Sequence, residues 1–154
     1  MKLSSNKLWG LAFVFSGCIF EYNPYEIRLE PALQNLNSKA IEKIKATPAK
    51  DTLTIALVAD TQRFYNELER IVKSANQQQY DFMLVAGDIT EYGLEQEYRW
   101  INQILEKLKQ PYICVIGNHD FQGDGSHVFK KLFGPLNDSF EYGHFNFILH
   151  DTNS

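Results

Sequence analysis

Cysteine is scarce in this chain of 154 residues, which contains only Cys18 and Cys114. Cys18 lies in the N-terminal segment, whereas Cys114 lies inside an apolar run that predicts a strand. A buried free cysteine behaves as a small apolar residue, and we interpret Cys114 as such a core residue. A structural disulfide is therefore not expected, even in an oxidising compartment.

The sequence also lacks a long basic run and a long apolar run. Its formal net charge is −4, which argues against a nucleic acid as the main partner. The apolar segment 8–15 is much shorter than the ~18–20 residues that a membrane-spanning helix needs. The chain is nevertheless 44% hydrophobic and 14% aromatic, so we expect one ordinary globular domain with its own core.

The N-terminal segment has the pattern of an export signal. Two lysines precede the apolar segment 8–15, and Ser16 and Gly17 come directly before Cys18. A charged start, an apolar middle and small residues before the cleavage point are typical of secretory signals. Residues 15–18 resemble the lipobox of bacterial lipoproteins, which implies that Cys18 is lipidated. An ordinary signal peptide with an incidental cysteine is the alternative.

We therefore predict a lipoprotein signal peptide over residues 1–17 and a tether over residues 18–51. The implied location is the bacterial cell envelope, on its periplasmic or cell-surface side, with the membrane contacted through a lipid anchor. Apolar residues at helical spacing predict a short amphipathic helix that leans on the domain and is closed by Thr47-Pro48: Leu33, Leu36, Ala40, Ile41 and Ile44. A flexible tether throughout this region is the alternative.

From residue 52 onwards, apolar runs alternate with amphipathic segments. Residues 53–59, 82–87 and 112–117 predict three strands, and residues 64–76 and 94–109 predict the helices between them. Strands that alternate with helices imply right-handed βαβ units and a parallel sheet. The predicted fold class is therefore α/β, with a parallel or mixed sheet and flanking helices.

The last thirty residues predict one more helix and two more strands. Residues 126–133 predict a short helix, and residues 139–142 and 144–150 predict strands on either side of Gly143, as a hairpin or a sheet edge. No helix follows the last strand, so we expect that strand to lack a covering layer.

Four of the apolar runs stop abruptly at polar residues that can bind metal ions. In chain order these residues are Asp60; Asp88; Asn118, His119 and Asp120; and His150 and Asp151. Buried parallel strands are continuous apolar runs, and ligands bind outside the carboxyl ends of such strands. The sequence therefore predicts that these side chains meet along one edge of one sheet, as a metal or phosphate site.

Three motifs in this set have the order and spacing of a known family. They are Asp60-Thr61-Gln62, Gly87-Asp88 and Gly117-Asn118-His119-Asp120. The pattern resembles the calcineurin-like metallophosphoesterases. The resemblance implies that residues 52–154 form the N-terminal part of such a domain, the first half of its α/β/β/α sandwich, with the C-terminal half absent.

The resemblance also implies a reaction and a metal centre. The reaction is hydrolysis of a small phosphorylated substrate by a hydroxide that two divalent metal ions activate. Asp60 and Gln62 match ligands of the first metal, Asn118 matches a ligand of the second, and Asp88 matches the ligand that bridges them. Mixed oxygen and nitrogen ligands suit manganese, iron or zinc.

Two further residues have roles by the same resemblance. His119 matches the general acid that protonates the leaving oxygen, a task for which imidazole is suited because its pKa lies near neutral. Asp120 is expected to hydrogen-bond His119 and to fix its tautomer. Together they are the predicted catalytic residues.

The chain departs from the family pattern in two ways. Gln62 stands where the family has a histidine, and a carboxamide oxygen is a weaker donor to borderline metals. The later histidine motifs, which supply three more ligands in the family, are absent from the chain. A non-catalytic lipoprotein that binds a phosphorylated ligand, or an inactive truncated fragment, is therefore the alternative to a phosphoesterase.

Overall fold

The computed structural model describes residues 27–153, so the predicted signal peptide and Cys18 lie outside the described residues. The elements in chain order are α1 (Leu36–Lys45), β1 (Ile55–Val58), α2 (Tyr65–Ala75), β2 (Phe82–Ala86), α3 (Glu95–Leu105), β3 (Tyr112–Val115), α4 (Gly125–Leu132), β4 (Asp138–Tyr142) and β5 (Phe145–Leu149). Short 3-10 turns lie at Pro31–Leu33 and His119–Phe121.

The first three strands form a parallel sheet in the order β1-β2-β3. Ile55 lies opposite Phe82, and Leu84 lies opposite Ile113. Helices α2 and α3 form the two connections between neighbouring strands. The predicted α/β fold class, with a parallel sheet and flanking helices, is confirmed.

One face of this sheet packs against α2, α3 and α4. Residues that alternate along β2 and β3, such as Met83, Val85 and Cys114, join these helices in one buried cluster. Cys114 is free and buried, as predicted, and burial raises the pKa of its thiol well above the usual value. Tyr98 and Phe129 fill the middle of the helical layer.

The opposite face packs against α1 and the β4–β5 hairpin. Phe82 and Ile113 contact this second buried cluster, to which α1 contributes Ile41 and Ile44. Phe82 also packs edge-on against Phe140, with ring centroids 6.4 Å apart. Two layers on opposite faces therefore hold the parallel sheet in place.

Helix α1 is part of the folded unit. The buried Asn37 side chain pairs with the backbone of β3: its Nδ2 donates to the Cys114 carbonyl (2.8 Å) and its Oδ1 accepts from the Cys114 N–H (2.9 Å). This amide satisfies backbone groups on the free edge of β3, which would otherwise lack partners. The predicted amphipathic helix is present, and the flexible tether does not describe residues 36–45.

The fourth apolar run does not join the parallel sheet. Strand β5 pairs antiparallel with β4 in a separate two-stranded sheet, so the predicted hairpin around Gly143 is confirmed, whereas the prediction that all four apolar runs end along one edge of one sheet is wrong. The reason is the connection: Tyr142 lies opposite Phe145, which leaves a two-residue turn, with Gly143 at a φ of 61°. So short a turn permits only antiparallel pairing, whereas parallel pairing needs a long crossover.

Part of the second face remains uncovered near the carboxyl ends of the strands. Leu57 on β1 is 71% exposed and Ile148 on β5 is 79% exposed. The interpretation of residues 53–59 as a buried run is therefore wrong, because Thr54, Leu57 and Ala59 are exposed and the other four residues are only partly buried. Within residues 27–153, no helix has both the length and the apolar character that crossing a membrane requires.

Candidate active site

The loops that follow β1, β2 and β3 lie side by side and are joined by backbone hydrogen bonds. We call residues 60–63, 87–91 and 117–120 the carboxyl edge. The Asp60 N–H donates to the Gly87 carbonyl (3.3 Å), and the Gln62 N–H donates to the Asp88 carbonyl (3.1 Å). The His119 N–H donates to Asp88 Oδ1 (3.0 Å). The structure therefore brings the three predicted motifs together around Asp88.

The backbone of the carboxyl edge adopts an unusual conformation. Asp60, Arg63 and Asp88 have φ values of 54°, 62° and 49°, in the left-handed region that residues other than glycine rarely adopt. Such positions cost on the order of 1–3 kcal/mol each and cluster at functional sites. The concentration of three of them at one edge of the sheet supports a functional role for that edge.

Gly117 lets the loops after β2 and β3 approach each other closely. A Cβ at this position would lie 2.1 Å from the Asp88 nitrogen and 2.2 Å from Asp88 Oδ1. No side chain can occupy that space, so any other residue would displace Asp88. The glycine of this motif is therefore required by the position of the Asp88 carboxylate.

A groove opens beside the carboxyl edge. It is lined by Asp88 and Asn118 on one side and by His150, Thr152 and Asn153 on the other. The end of β5 thus reaches the predicted site, although β5 belongs to another sheet. His150 Nδ1 donates to Asn137 Oδ1 (2.8 Å), so this ring nitrogen already has a partner within the chain.

The carboxyl edge offers oxygen donors to a metal ion. Among residues 27–153, no group of three or more His, Cys, Asp or Glu side chains could hold a metal. The candidate donors are instead the carboxylates of Asp60 and Asp88 and the amides of Gln62 and Asn118. Gln62 Oε1 is buried and accepts no hydrogen bond from the described residues.

This orphaned acceptor is informative because buried polar atoms nearly always have a partner. A metal ion would supply one, and carboxylate and carbonyl oxygens suit Mn²⁺ or Mg²⁺. The residues present therefore fit an oxygen-ligated divalent ion.

His119 is held by the loop after β2. Its Nδ1 lies 3.3 Å from the Glu91 carbonyl oxygen and 3.8 Å from Glu91 Oε2. A carbonyl can only accept, so Nδ1 carries the hydrogen of this bond, and Nε2 is left to exchange a proton. The sequence analysis missed Glu91; the signal was an acidic residue only three positions after Asp88, in the same loop.

Asp120 does not hydrogen-bond His119, so that prediction is wrong. Its carboxylate is fully buried and accepts from the N–H groups of Ile89 (3.1 Å), Thr90 (2.8 Å) and Gly117 (2.9 Å), and from the Thr90 hydroxyl (2.7 Å). Burial raises the pKa of the Asp120 carboxyl, and these hydrogen bonds oppose the rise. Asp120 is a positioning residue that joins the loops after β2 and β3.

Part of the chain is similar to known proteins. Residues 53–152 match the sequence model of the calcineurin-like phosphoesterases. The chain is 38% identical over 52 residues to a probable cyclic nucleotide phosphodiesterase from Xenorhabdus bovienii (strain SS-2004), a match that covers 34% of this chain and 21% of that protein. It is 30% identical over 69 residues to the uncharacterized metallophosphoesterase YkuE from Bacillus subtilis (strain 168), covering 43% of this chain and 24% of that protein.

The fold is similar to that of the purple acid phosphatase PPD1 from yellow lupin (Lupinus luteus) seeds. The TM-score is 0.52 at 14% identity, and the match covers 70% of this chain and 27% of that one. The chain therefore matches only about a quarter of each of these relatives. The family match, in contrast, spans well over half of the chain, and the chain belongs to the calcineurin-like phosphoesterase family.

Proposed function

We propose that this protein hydrolyses a small phosphate ester at the carboxyl edge, with two divalent metal ions bound there. Family membership supports metal-dependent phosphoester hydrolysis. The observation that carries the proposal is the position of Asp88, whose carbonyl contacts the Gln62 loop and whose Oδ1 contacts the His119 loop. Asp88 thus lies between the loop that carries Asp60 and Gln62 and the loop that carries Asn118.

Each donor has a defined place in this proposal. Asp60 and Gln62 would hold the first ion, Asn118 the second, and Asp88 would contact both. The His119 N–H donates a hydrogen bond to Asp88 Oδ1, whereas Asp88 Oδ2 has no hydrogen-bond partner within residues 27–153. When bound, the ions would acidify a water molecule and neutralise the phosphoryl oxygens.

His119 would protonate the leaving oxygen. Its Nδ1–H is directed at the Glu91 carbonyl, so Nε2 is the nitrogen that can deliver a proton. The Glu91 carboxylate lies close to the same ring, with Oε2 3.8 Å from Nδ1. Glu91 therefore orients the imidazole ring of His119.

Two metal ions need more ligands than these four residues supply. We propose that further metal ligands come from outside residues 27–153. We therefore expect the 154-residue chain alone to hydrolyse phosphate esters slowly or not at all. The assay uses p-nitrophenyl phosphate and bis(p-nitrophenyl) phosphate with added Mn²⁺. Turnover by the 154-residue chain above roughly 1 s⁻¹, within the ordinary enzyme range, would contradict this part.

The acid role of His119 is tested in the whole protein by changing the leaving group. His119→Ala should slow esters with poor leaving groups most and p-nitrophenyl esters least, because a good leaving group needs little protonation. His127→Ala is the control, since the ring of that exposed histidine has Asp124 as its one polar partner among residues 27–153. If His119→Ala slowed all esters equally, the assignment of His119 as the general acid would be contradicted. Phosphate binding without any turnover would favour the non-catalytic alternative.

We also propose that the protein is attached to the bacterial cell envelope through lipid on Cys18. Support comes from the sequence pattern of residues 15–18. Cys18→Ser should release the protein from the membrane fraction, because several acyl chains add ~0.8 kcal/mol per buried methylene. Cys114→Ala is the control, and it should remain in the membrane fraction. A wild-type protein that is already soluble would contradict the proposal.

A further inference from the structure

Arg63 occupies an unusual position in the carboxyl edge. It follows Gln62 directly, has a φ of 62°, and places its Nε 3.1 Å from Glu91 Oε2. The Glu91 side chain is only 11% exposed, whereas the Arg63 side chain is 67% exposed. A mostly buried carboxylate thus forms an ion pair with the inner nitrogen of an otherwise accessible guanidinium, although Glu91 Oε2 accepts no hydrogen bond from the described residues.

The terminal nitrogens of Arg63 distinguish it from two other arginines. Arg99 uses all three of its nitrogens in hydrogen bonds, to Glu95, Glu30 and the Arg28 carbonyl. Arg70 bonds Glu67 through one terminal nitrogen. The terminal nitrogens of Arg63, in contrast, donate no hydrogen bond in the part of the chain that the structure describes, so its hydrogen-bonding capacity is largely unused.

The guanidinium lies beside the predicted general acid. The same Glu91 Oε2 atom faces both Arg63 Nε and His119 Nδ1, at 3.1 and 3.8 Å. His119 in turn contacts Asp88 through its N–H. A chain of contacts therefore connects Arg63 to the residue at the centre of the site.

We propose that Arg63 binds phosphate oxygens of the substrate through its two terminal nitrogens, while Glu91 holds its Nε. This inference rests on the proposed phosphoesterase function. A planar guanidinium matches phosphate with two parallel hydrogen bonds, which an ammonium group cannot reproduce. The phosphate is either the reacting group or a second phosphate on the same substrate.

The test measures anion affinity of the whole protein by isothermal titration calorimetry, with and without Mn²⁺. Inorganic phosphate and pyrophosphate are the probes, and the variants are Arg63→Gln, Arg63→Lys and the control Arg70→Gln. Loss of a charge-assisted pair should weaken binding by Arg63→Gln roughly tenfold or more. Arg63→Lys keeps the charge and the Glu91 pair, so it should lie between Arg63→Gln and the wild type. Arg70→Gln should bind within about twofold of the wild type, as expected for an exposed pair.

The two probes distinguish the sources of the phosphate. Equal weakening of both anions by Arg63→Gln would place Arg63 on the reacting phosphate, whereas weakening of pyrophosphate alone would place it on a second phosphate. Either result supports the proposal. Identical affinities in Arg63→Gln and Arg70→Gln would overturn it. The proposal would also be overturned if Arg63→Gln lost Mn²⁺ affinity by the same factor as anion affinity, because Arg63 would then act on the metal ligands.

A hydrolysis assay of the same samples separates this inference from the proposed function. A wild-type protein that hydrolyses phosphate esters while Arg63→Gln binds both anions normally would overturn the inference alone. Arg63-dependent anion binding without hydrolysis would overturn the proposed function and leave the inference standing. A wild type that binds neither anion would overturn the inference.

Discussion

Replacement of Asp120 by alanine should remove the main connection between the loops after β2 and β3. Its carboxylate accepts four hydrogen bonds, from the N–H groups of Ile89, Thr90 and Gly117 and from the Thr90 hydroxyl. The side chain is fully buried, so water has no ready access to these donors. The substitution therefore leaves three backbone donors and one hydroxyl without their acceptor.

The magnitude follows from the cost of burying such groups. Each buried donor that loses its partner costs about 1–3 kcal/mol, so four donors give roughly 4 kcal/mol or more for Asp120→Ala. That is a large part of the about 5–15 kcal/mol by which domains are usually stable. Asp120→Asn keeps one oxygen acceptor, and we expect it to cost about half as much.

Urea unfolding, followed by circular dichroism, measures this free energy of unfolding. Asp124→Ala is the matched control because, within residues 27–153, the Asp124 side chain pairs only with the exposed His127, and it should cost less than about 1 kcal/mol. A free energy of unfolding for Asp120→Ala within about 1 kcal/mol of the wild type would refute the structural role.

Two other substitutions test Gln62 as a metal ligand and the contribution of Asp81, which precedes β2, to stability. Gln62→His should tighten metal binding at limiting Mn²⁺ or Zn²⁺, because imidazole is the stronger donor; an unchanged metal titration would argue against Gln62 as a ligand. Burial alone would raise the pKa of the Asp81 carboxyl, but hydrogen bonds from Lys50 and the Thr54 N–H hold it below its usual range. Asp81→Asn should therefore cost roughly 1 kcal/mol near neutral pH. Because the folded pKa is lowered, this difference from the wild type should vanish as pH falls through that pKa. A difference that persists in strong acid would contradict the assignment.

The parallel sheet and the location of the site could be predicted because both follow from local patterns. Runs such as 82–87 and 112–117 are apolar without interruption, and each ends at a polar group. Strand order and parallel pairing follow from the helices between the strands. The structure accordingly brings Asp60, Asp88 and His119 to one edge of the sheet.

The other features depend on tertiary contacts that no local pattern encodes. Asp120 is adjacent to His119 in sequence, but its carboxylate turns into the interior, where three backbone N–H groups need an acceptor. Glu91 faces His119 across two loops that lie 28 residues apart. The hairpin of β4 and β5 could be predicted from the sequence around Gly143, but its position against α1 and the second face of the sheet depends on tertiary packing.

If Asp88 holds metal ions at the carboxyl edge, equilibrium binding of Mn²⁺ to the whole protein must depend on its carboxylate. Asp60→Asn, Asp88→Asn and the charge-matched control Asp124→Asn are titrated beside the wild type. We predict that Asp88→Asn loses the most bound Mn²⁺, because Asp88 would contact both ions, that Asp60→Asn loses less, and that Asp124→Asn loses none. Wild-type stoichiometry and affinity in Asp88→Asn would contradict the account.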